Sequence, residues 1–252
     1  MSNNPFELVA AETKAVTSSV RSPGVPATAL YEGVIKAAYL IESPWNKVGE
    51  PVKIDLALHI ELPSGYEHKI QKTVLIDGSP KAKNREGKMA LLFTYVTMTH
   101  IVGAALDGKT LVEAFNSIQV KPIKLWNFEK KQEVLTDVKM IDDLVGRELL
   151  IGLQRKISNK RQFLDGEWMD QPERKETLEF GVAASKADRR TYVEMVAGTS
   201  AEDAVEADKW EKQNSGKDWD AYKNVASAAA GLPAGIGAGN AAAAGAIDFG
   251  AS

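Results

Sequence analysis

The aromatic residues Tyr39, Trp45, Tyr66, Phe93, Tyr95, Trp126 and Phe128 are interspersed with lysine and arginine along the first half of the chain. A flat ring can stack on an unpaired base, worth about 1–3 kcal/mol per base, and a neighbouring cation can neutralise a phosphate. The candidate cations are Lys69 and Lys72, then Lys81, Lys83, Arg85 and Lys88, and then Lys124 beside Trp126 and Phe128. A later group is Arg155, Lys156, Lys160 and Arg161, in a stretch from Arg147 to Arg161 that holds five basic residues and one acid. Trp45 follows Ser43-Pro44 in a polar loop, and Phe93 and Tyr95 are two apart, on one face if their run is a strand. Tyr39 shares parity with Ile35 and Ile41, which also admits a place in the core.

Other residue sets bring rival chemistries. Asp55 with Glu67-His68-Lys69 mimics the spacing of metal-dependent nucleases, although an amphipathic strand also places charges there by chance. Asp142-Asp143 reads as acids at the start of a helical turn, and Gly235 to Gly239 lacks the preceding strand that a nucleotide loop needs. With no cysteine there is no disulfide or thiolate site, and the scattered His59, His68 and His100 predict no zinc centre. No cofactor or metal is expected.

The elements that would position these residues are mostly strands. Val52, Ile54, Leu56, Leu58, Ile60 and Leu62 alternate with Lys53, Asp55, His59 and Glu61, a period of two that predicts a half-buried strand. Leu30 to Glu42 and Glu67 to Ile76 read as its neighbours, with Pro63-Ser64-Gly65 as a hairpin turn. The other side of this sheet, with Lys36, Lys53, Lys69 and Gln71, is expected to suit a polyanion. Asp77 to Lys88 reads as a basic loop and Met89 to Val96 as a short apolar, β-like run. Thr97 or Thr99 is expected to cap a short helix that ends near Asp107-Gly108.

Further strands are predicted over Ile118 to Asn127, Val134 to Met140, Arg147 to Ile157 and Glu176 to Val182, with one helical turn at Met140 to Gly146 and a polar excursion from Ser158 to Lys175. The fold class is therefore mainly β, a small antiparallel barrel with one or two short helices. A flexible N-terminal arm is expected over residues 1–28, the binding domain over 29–198, an acidic helical segment over 199–225 and a disordered Ala/Gly-rich tail over 226–252. From Thr199 onward eight acids oppose four lysines, so the net charge of −3 conceals a mildly basic body followed by an acidic extension. No apolar run reaches the ~18 residues of a membrane span and no signal peptide is evident, so a cytoplasmic location without membrane contact is expected.

The order LYEGVIKAAYLIES, basic loop, LDGKTLVEA, KPIKLWNFEKKQEVLTDVKMIDDLVGRELLIGLQRKI and DKWEKQNSGK resembles the bacteriophage-encoded single-stranded DNA-binding proteins over roughly residues 29–224. The resemblance implies an OB-fold body and sequence-independent binding of single-stranded DNA in replication, recombination or repair, without enzymatic activity, in the cytoplasm of a bacterial host. It also implies a C-terminal region that engages replication proteins such as a polymerase, helicase or primase. The tip residues Asp248 and Phe249 are the counterpart of that family's acidic, aromatic terminus, with most acidity lying further upstream, at Glu202 to Asp220. A non-enzymatic virion β-protein is the alternative, and oligomerisation is left open.

Overall fold

The computed structural model describes residues 24–83, 86–127, 130–164 and 167–224, the side chains of 127 and 164 excepted. The fold is mainly β, with antiparallel pairing throughout apart from one short parallel contact. Among the described residues no helix is long and apolar enough to cross a membrane. The expected N-terminal arm up to residue 23 and the tail from residue 225 onward, with Asp248 and Phe249, lie outside the described residues.

The structure is organised around β1 (Ala29–Glu42). Along one edge β1 pairs with β2 (Lys53–Glu61), which turns through Gly65, at a φ of 76°, into β3 (Glu67–Ile76). Along its other edge β1 meets two strands in succession. β8 (Glu148–Leu164) pairs with Ala29 to Val34, and β7 (Gln132–Ile141) pairs with Tyr39 and Leu40. Between them a 3₁₀ turn at Asp142–Leu144 closes on β1 through bonds from Gly146 N to the Ile35 carbonyl and from Ile35 N to the Arg147 carbonyl. β6 (Ile118–Asn127) pairs outside β7, and β9 (Glu167–Ser185) pairs outside β8. Pro122 sits in β6, an edge strand, where its missing N–H leaves no gap in the ladder.

The alternation read from the sequence builds the core. Leu56, Leu58, Ile60 and Leu62 are buried with Ile35, Ile70, Leu149 and Ile151. Against them packs α1 (Phe93–Ala105), whose Met98, Ile101, Val102 and Ala105 recur at helical spacing. This helix corrects the second half of the β-like reading of Met89 to Val96, whose first residues, Met89–Leu91, do form a strand. An apolar run of that length fits strand or helix, and its continuation through Ala105 decides for the helix. Thr97 and Thr99 are not caps either. They donate to the carbonyls of Phe93 and Tyr95 at 3.1 and 2.9 Å, one turn back.

The expected barrel does not close. α1 packs on β3, β8 and β9, and among the described residues β3 pairs only with β2. A helix lodged between the two outer strands keeps them too far apart to exchange hydrogen bonds. Two loops of the sequence reading are also replaced by paired strands. Within the basic loop Lys81–Lys83 form β4, which pairs with β5 (Met89–Leu91) at the start of the apolar run, and the polar excursion continues β8 and β9 into a long two-stranded arm.

The acidic segment is helical only over α4 (Glu206–Asn214), and it is joined to the body rather than separate from it. α2 (Leu111–Ala114) and α3 (Tyr192–Val196) are short, each opened by a capping box. Trp210 of α4 lies where a Cβ on Gly181 or Gly152 would stand, and β10 (Trp219–Asp220) pairs with Lys156 and Ile157 of β8. Glu194 ties α3 to α4. Its buried carboxylate accepts from Thr191 N and Oγ1 and also from the backbone N–H groups of Val205 and Glu206.

Burial would raise the Glu194 pKa, but those hydrogen bonds outweigh it and hold the carboxyl below its ordinary value of 4.5. A group depressed by folding stabilises fully above its unfolded pKa and loses that contribution as pH falls through the folded one. Glu194→Ala is therefore expected to destabilise the protein by roughly 1–3 kcal/mol at neutral pH, since several buried donors lose their acceptor. Urea unfolding as a function of pH should show the gap to wild type narrowing on acidification below the ordinary carboxylate range.

Candidate nucleic-acid interface

The seam that α1 holds open is a groove of about 500 Å³ lined by β3 (His68 to Lys72), α1 (Phe93 to His100) and β9 (Leu178 to Gly181). Phe93 stands at its mouth with 83% of its surface exposed. Lys69 and Lys72 on β3 carry no ion pair among the described residues, so their charge is available to an incoming anion. Burial is the main reason that the imidazoles of His68 and His100 lie below their ordinary range, which leaves the positive charge here to the lysines. The β4–β5 hairpin leads directly into Phe93, bonded through Leu92 N to the Pro80 carbonyl, with Lys81 and Lys83 paired to Leu91 and Met89 outside the groove lining.

A second concavity of about 870 Å³ runs along the arm and is lined by Lys156, Lys160, Arg161, Trp168, Arg174 and Lys175 together with Glu173 and Glu179. Glu179 lines both. The two therefore form one track along β9, from Phe93 at the seam to Trp168 near the arm tip, a length of roughly 40 Å at about 3.3 Å per residue. Trp168 is 60% exposed and meets Phe163 edge-on at 5.5 Å between ring centres. The arm cations are partly engaged already. Lys160 pairs with Glu173 at 2.7 Å, Arg161 with Asp170 at 3.3 Å and Lys156 with Glu179 at 3.6 Å, while Lys175 has no ion pair among the described residues.

The track unites Lys69, Lys72, Phe93, Lys156, Lys160 and Arg161 of the expected residues, while Lys81 and Lys83 lie on the hairpin that leads into it. Others are placed elsewhere. Tyr66 and Tyr95, both half-buried, pack against the main core and line neither concavity, and a helix turns Tyr95 about 200° from Phe93. Trp45 is exposed in the β1–β2 loop, and Lys124 and Trp126 lie on the outer face of the β6–β7 hairpin, none of them in the track. Lys88 pairs with Glu86 at 3.2 Å, and Arg85 and Phe128 lie outside the described residues.

Arg155 is spent on the fold. Its Nε donates to Asp218 at 2.9 Å, its backbone N–H donates to Thr28 Oγ1 at 2.9 Å, and Thr28 Oγ1 in turn donates to Asp218. The guanidinium hydrogen bond holds the Asp218 carboxyl below its ordinary range, against the opposing effect of burial. Asp218 thereby clamps the start of β1 to the C-terminal segment.

The polyanion face expected on the sheet is covered in part, with Lys36 and Lys69 still exposed. On β1 and β2 it forms a second apolar cluster in which Tyr39, Ala57, Val138 and Met140 are buried beneath the β6–β7 hairpin. The nuclease-like set is also dispersed. Asp55, 4% exposed, accepts from Gln71 and Thr73 at 3.0 and 2.7 Å. Glu67, bonded to His59 at 2.5 Å, lies six residues from Thr73 along β3. That is about 20 Å, too far for one ion to bridge.

Trp168, Phe163, Arg174, Lys175 and His100 were not singled out as site residues from the sequence. A signal for the arm was present, since Asp165-Gly166 between Phe163-Leu164 and Glu167-Trp168 is a two-residue hairpin sequence. The chain matches no protein-family model, and no curated protein matches it significantly.

Arg155→Met is expected to lower stability by roughly 1–3 kcal/mol, because a hydrogen-bonded network loses its centre. Lys160→Met, which removes a solvent-exposed pair, should cost less than about 1 kcal/mol. Equal shifts in the urea midpoints of the two variants would show that Arg155 is not a clamp.

Proposed function

We propose that the chain binds single-stranded DNA without sequence preference, its bases stacking on Phe93 and Trp168 and its phosphates meeting Lys69, Lys72, Lys175 and the arm cations. The observation that carries this reading is the track along β9, two concavities that meet at Glu179, with an exposed aromatic ring at each end and more cations than carboxylates between. A single strand exposes a charged backbone and unpaired base faces together, and the track offers a complement to both. The resemblance to phage single-stranded DNA-binding proteins adds support and gives the biological setting: replication, recombination or repair of phage DNA in a bacterial host, with replication enzymes as partners of the C-terminal region.

The arm cations sharpen the electrostatics of this reading. Lys156, Lys160 and Arg161 exchange protein carboxylates for phosphates, whereas Lys69, Lys72 and Lys175 have no ion pair among the described residues to displace. Per residue, the unpaired lysines therefore contribute more to binding.

Fluorescence titration with oligonucleotides tests the proposal. Phe93→Ala and Trp168→Ala should each weaken single-strand binding by about 5- to 150-fold, the equivalent of 1–3 kcal/mol per lost stack. Affinity should fall with salt by about 0.7 counterion per phosphate contacted, and Lys69→Ala with Lys72→Ala should flatten that slope. Lys124→Ala, outside the track, should leave affinity unchanged. Equal affinity for duplex, or an affinity indifferent to salt, would refute the assignment.

A further inference from the structure

The β6–β7 hairpin has a covered face and an open one. Ile123, Leu125, Val138 and Met140 turn inward onto Tyr39 and Ala57 and fix the hairpin to the body. Beyond the Ile118–Ile141 pair at its base, which packs into the main core, the opposite parity is exposed: Val120, Pro122, Lys124 and Trp126 on β6, and Glu133, Leu135, Asp137 and Lys139 on β7. Val120 is 65%, Leu135 66% and Trp126 56% exposed, an apolar content in excess of what scattered surface residues present. Two lysines offset two acids, so this face has no net charge, and none of the four forms an ion pair among the described residues. A polyanion gains nothing from such a surface, which is distinct from the track along β9.

The register determines what does fit. The cross-strand pairs run Val120 with Lys139, Pro122 with Asp137, Lys124 with Leu135 and Trp126 with Glu133. A twofold axis running parallel to the hairpin plane, just above its outer face, and perpendicular to its strands reverses that order. It sets Val120 over the partner's Trp126, Lys139 over the partner's Glu133, Leu135 over the partner's Asp137, and Lys124 over the partner's Pro122, whose cross-strand neighbour is Asp137, each contact occurring twice. The face is thus complementary to itself at its two ends, in the apolar Val120–Trp126 and the charged Lys139–Glu133 contacts, and diagonally at its centre, where Lys124 comes beside the partner's Asp137; Leu135 against Asp137 is its one unmatched contact. A uniformly acidic or basic partner would be repelled by one half of it.

From this self-complementarity we infer that the outer face of the β6–β7 hairpin is the interface of a twofold dimer with a second copy of this chain. Eight exposed side chains on two strands give less than the roughly 800 Å² per partner of a standard interface, so association occurs at micromolar and not nanomolar concentration. The dimer leaves the seam groove of each copy free. It requires nothing of DNA and stands or falls separately from the binding proposal.

Sedimentation velocity of the full chain from about 1 to several hundred micromolar tests it by charge swapping. Wild type should pass from monomer to dimer across this range. Lys139→Glu should weaken association at least about tenfold, by placing two carboxylates on each side of the contact. Combining it with Glu133→Lys should restore association, and Val120→Ser should abolish it. Unchanged circular dichroism and unchanged oligonucleotide affinity in each variant show that fold and track are intact. A wild type that stays monomeric throughout, a dimer that survives Lys139→Glu and Val120→Ser, or a swap that fails to restore association overturns the interface.

Discussion

The packing of α1 between β3 and β9 is the contact on which the rest of the architecture depends. Met98, Ile101 and Val102 are fully buried against strands that belong to opposite ends of one sheet. Apolar burial of this kind is worth about 1.5–3 kcal/mol per large side chain, enough to favour a helix-filled seam over a few strand-to-strand hydrogen bonds of about 1 kcal/mol net each. The same placement makes a groove with two strand edges for walls. It also brings Phe93, at the first turn of the helix, to the mouth of that groove.

A second constraint acts through charge. The C-terminal segment places Asp218 on Arg155, Trp219 4.0 Å beneath the Lys156 ammonium, and Tyr222 beneath the Arg174 guanidinium. Asn159 exchanges hydrogen bonds with the backbone of Lys223 at 2.8 and 2.9 Å, so the strap also braces the base of the arm. The acidic residues here act as internal counterions of the body. On the other side of α4, Asp208 and Glu211 do the same for Arg189 at 2.6 and 2.8 Å. Cations that look alike in the sequence therefore differ in what they can offer a ligand.

The β6–β7 hairpin divides its two parities between two tasks. Its inner residues turn what would have been the solvent side of β1 and β2 into a second small core around Tyr39, whose hydroxyl lies 3.0 Å from His59 Nε2. Its outer residues become the exposed sheet face. Because side chains alternate along a strand, one hairpin covers one surface and creates another.

Much of this was legible in the chain itself. The apolar parity of Leu56, Leu58 and Ile60, the turn at Gly65, the whole of β3 and β6, and the helix end at Asp107-Gly108 are local consequences of periodicity and turn chemistry. What the sequence could not decide is who faces whom. Arg155 and Asp218 are 63 residues apart, so nothing in either stretch marks them as partners, and a cation read from its neighbours alone looks free. Tyr39 and Ala57 carry no mark of the hairpin that buries them, and Trp168 no mark of the groove it shares with Lys156. Local spacing sets which side of an element is apolar. Only the tertiary structure decides what covers the other side, because that depends on contacts between residues remote along the chain, and on the helix that keeps the sheet from closing.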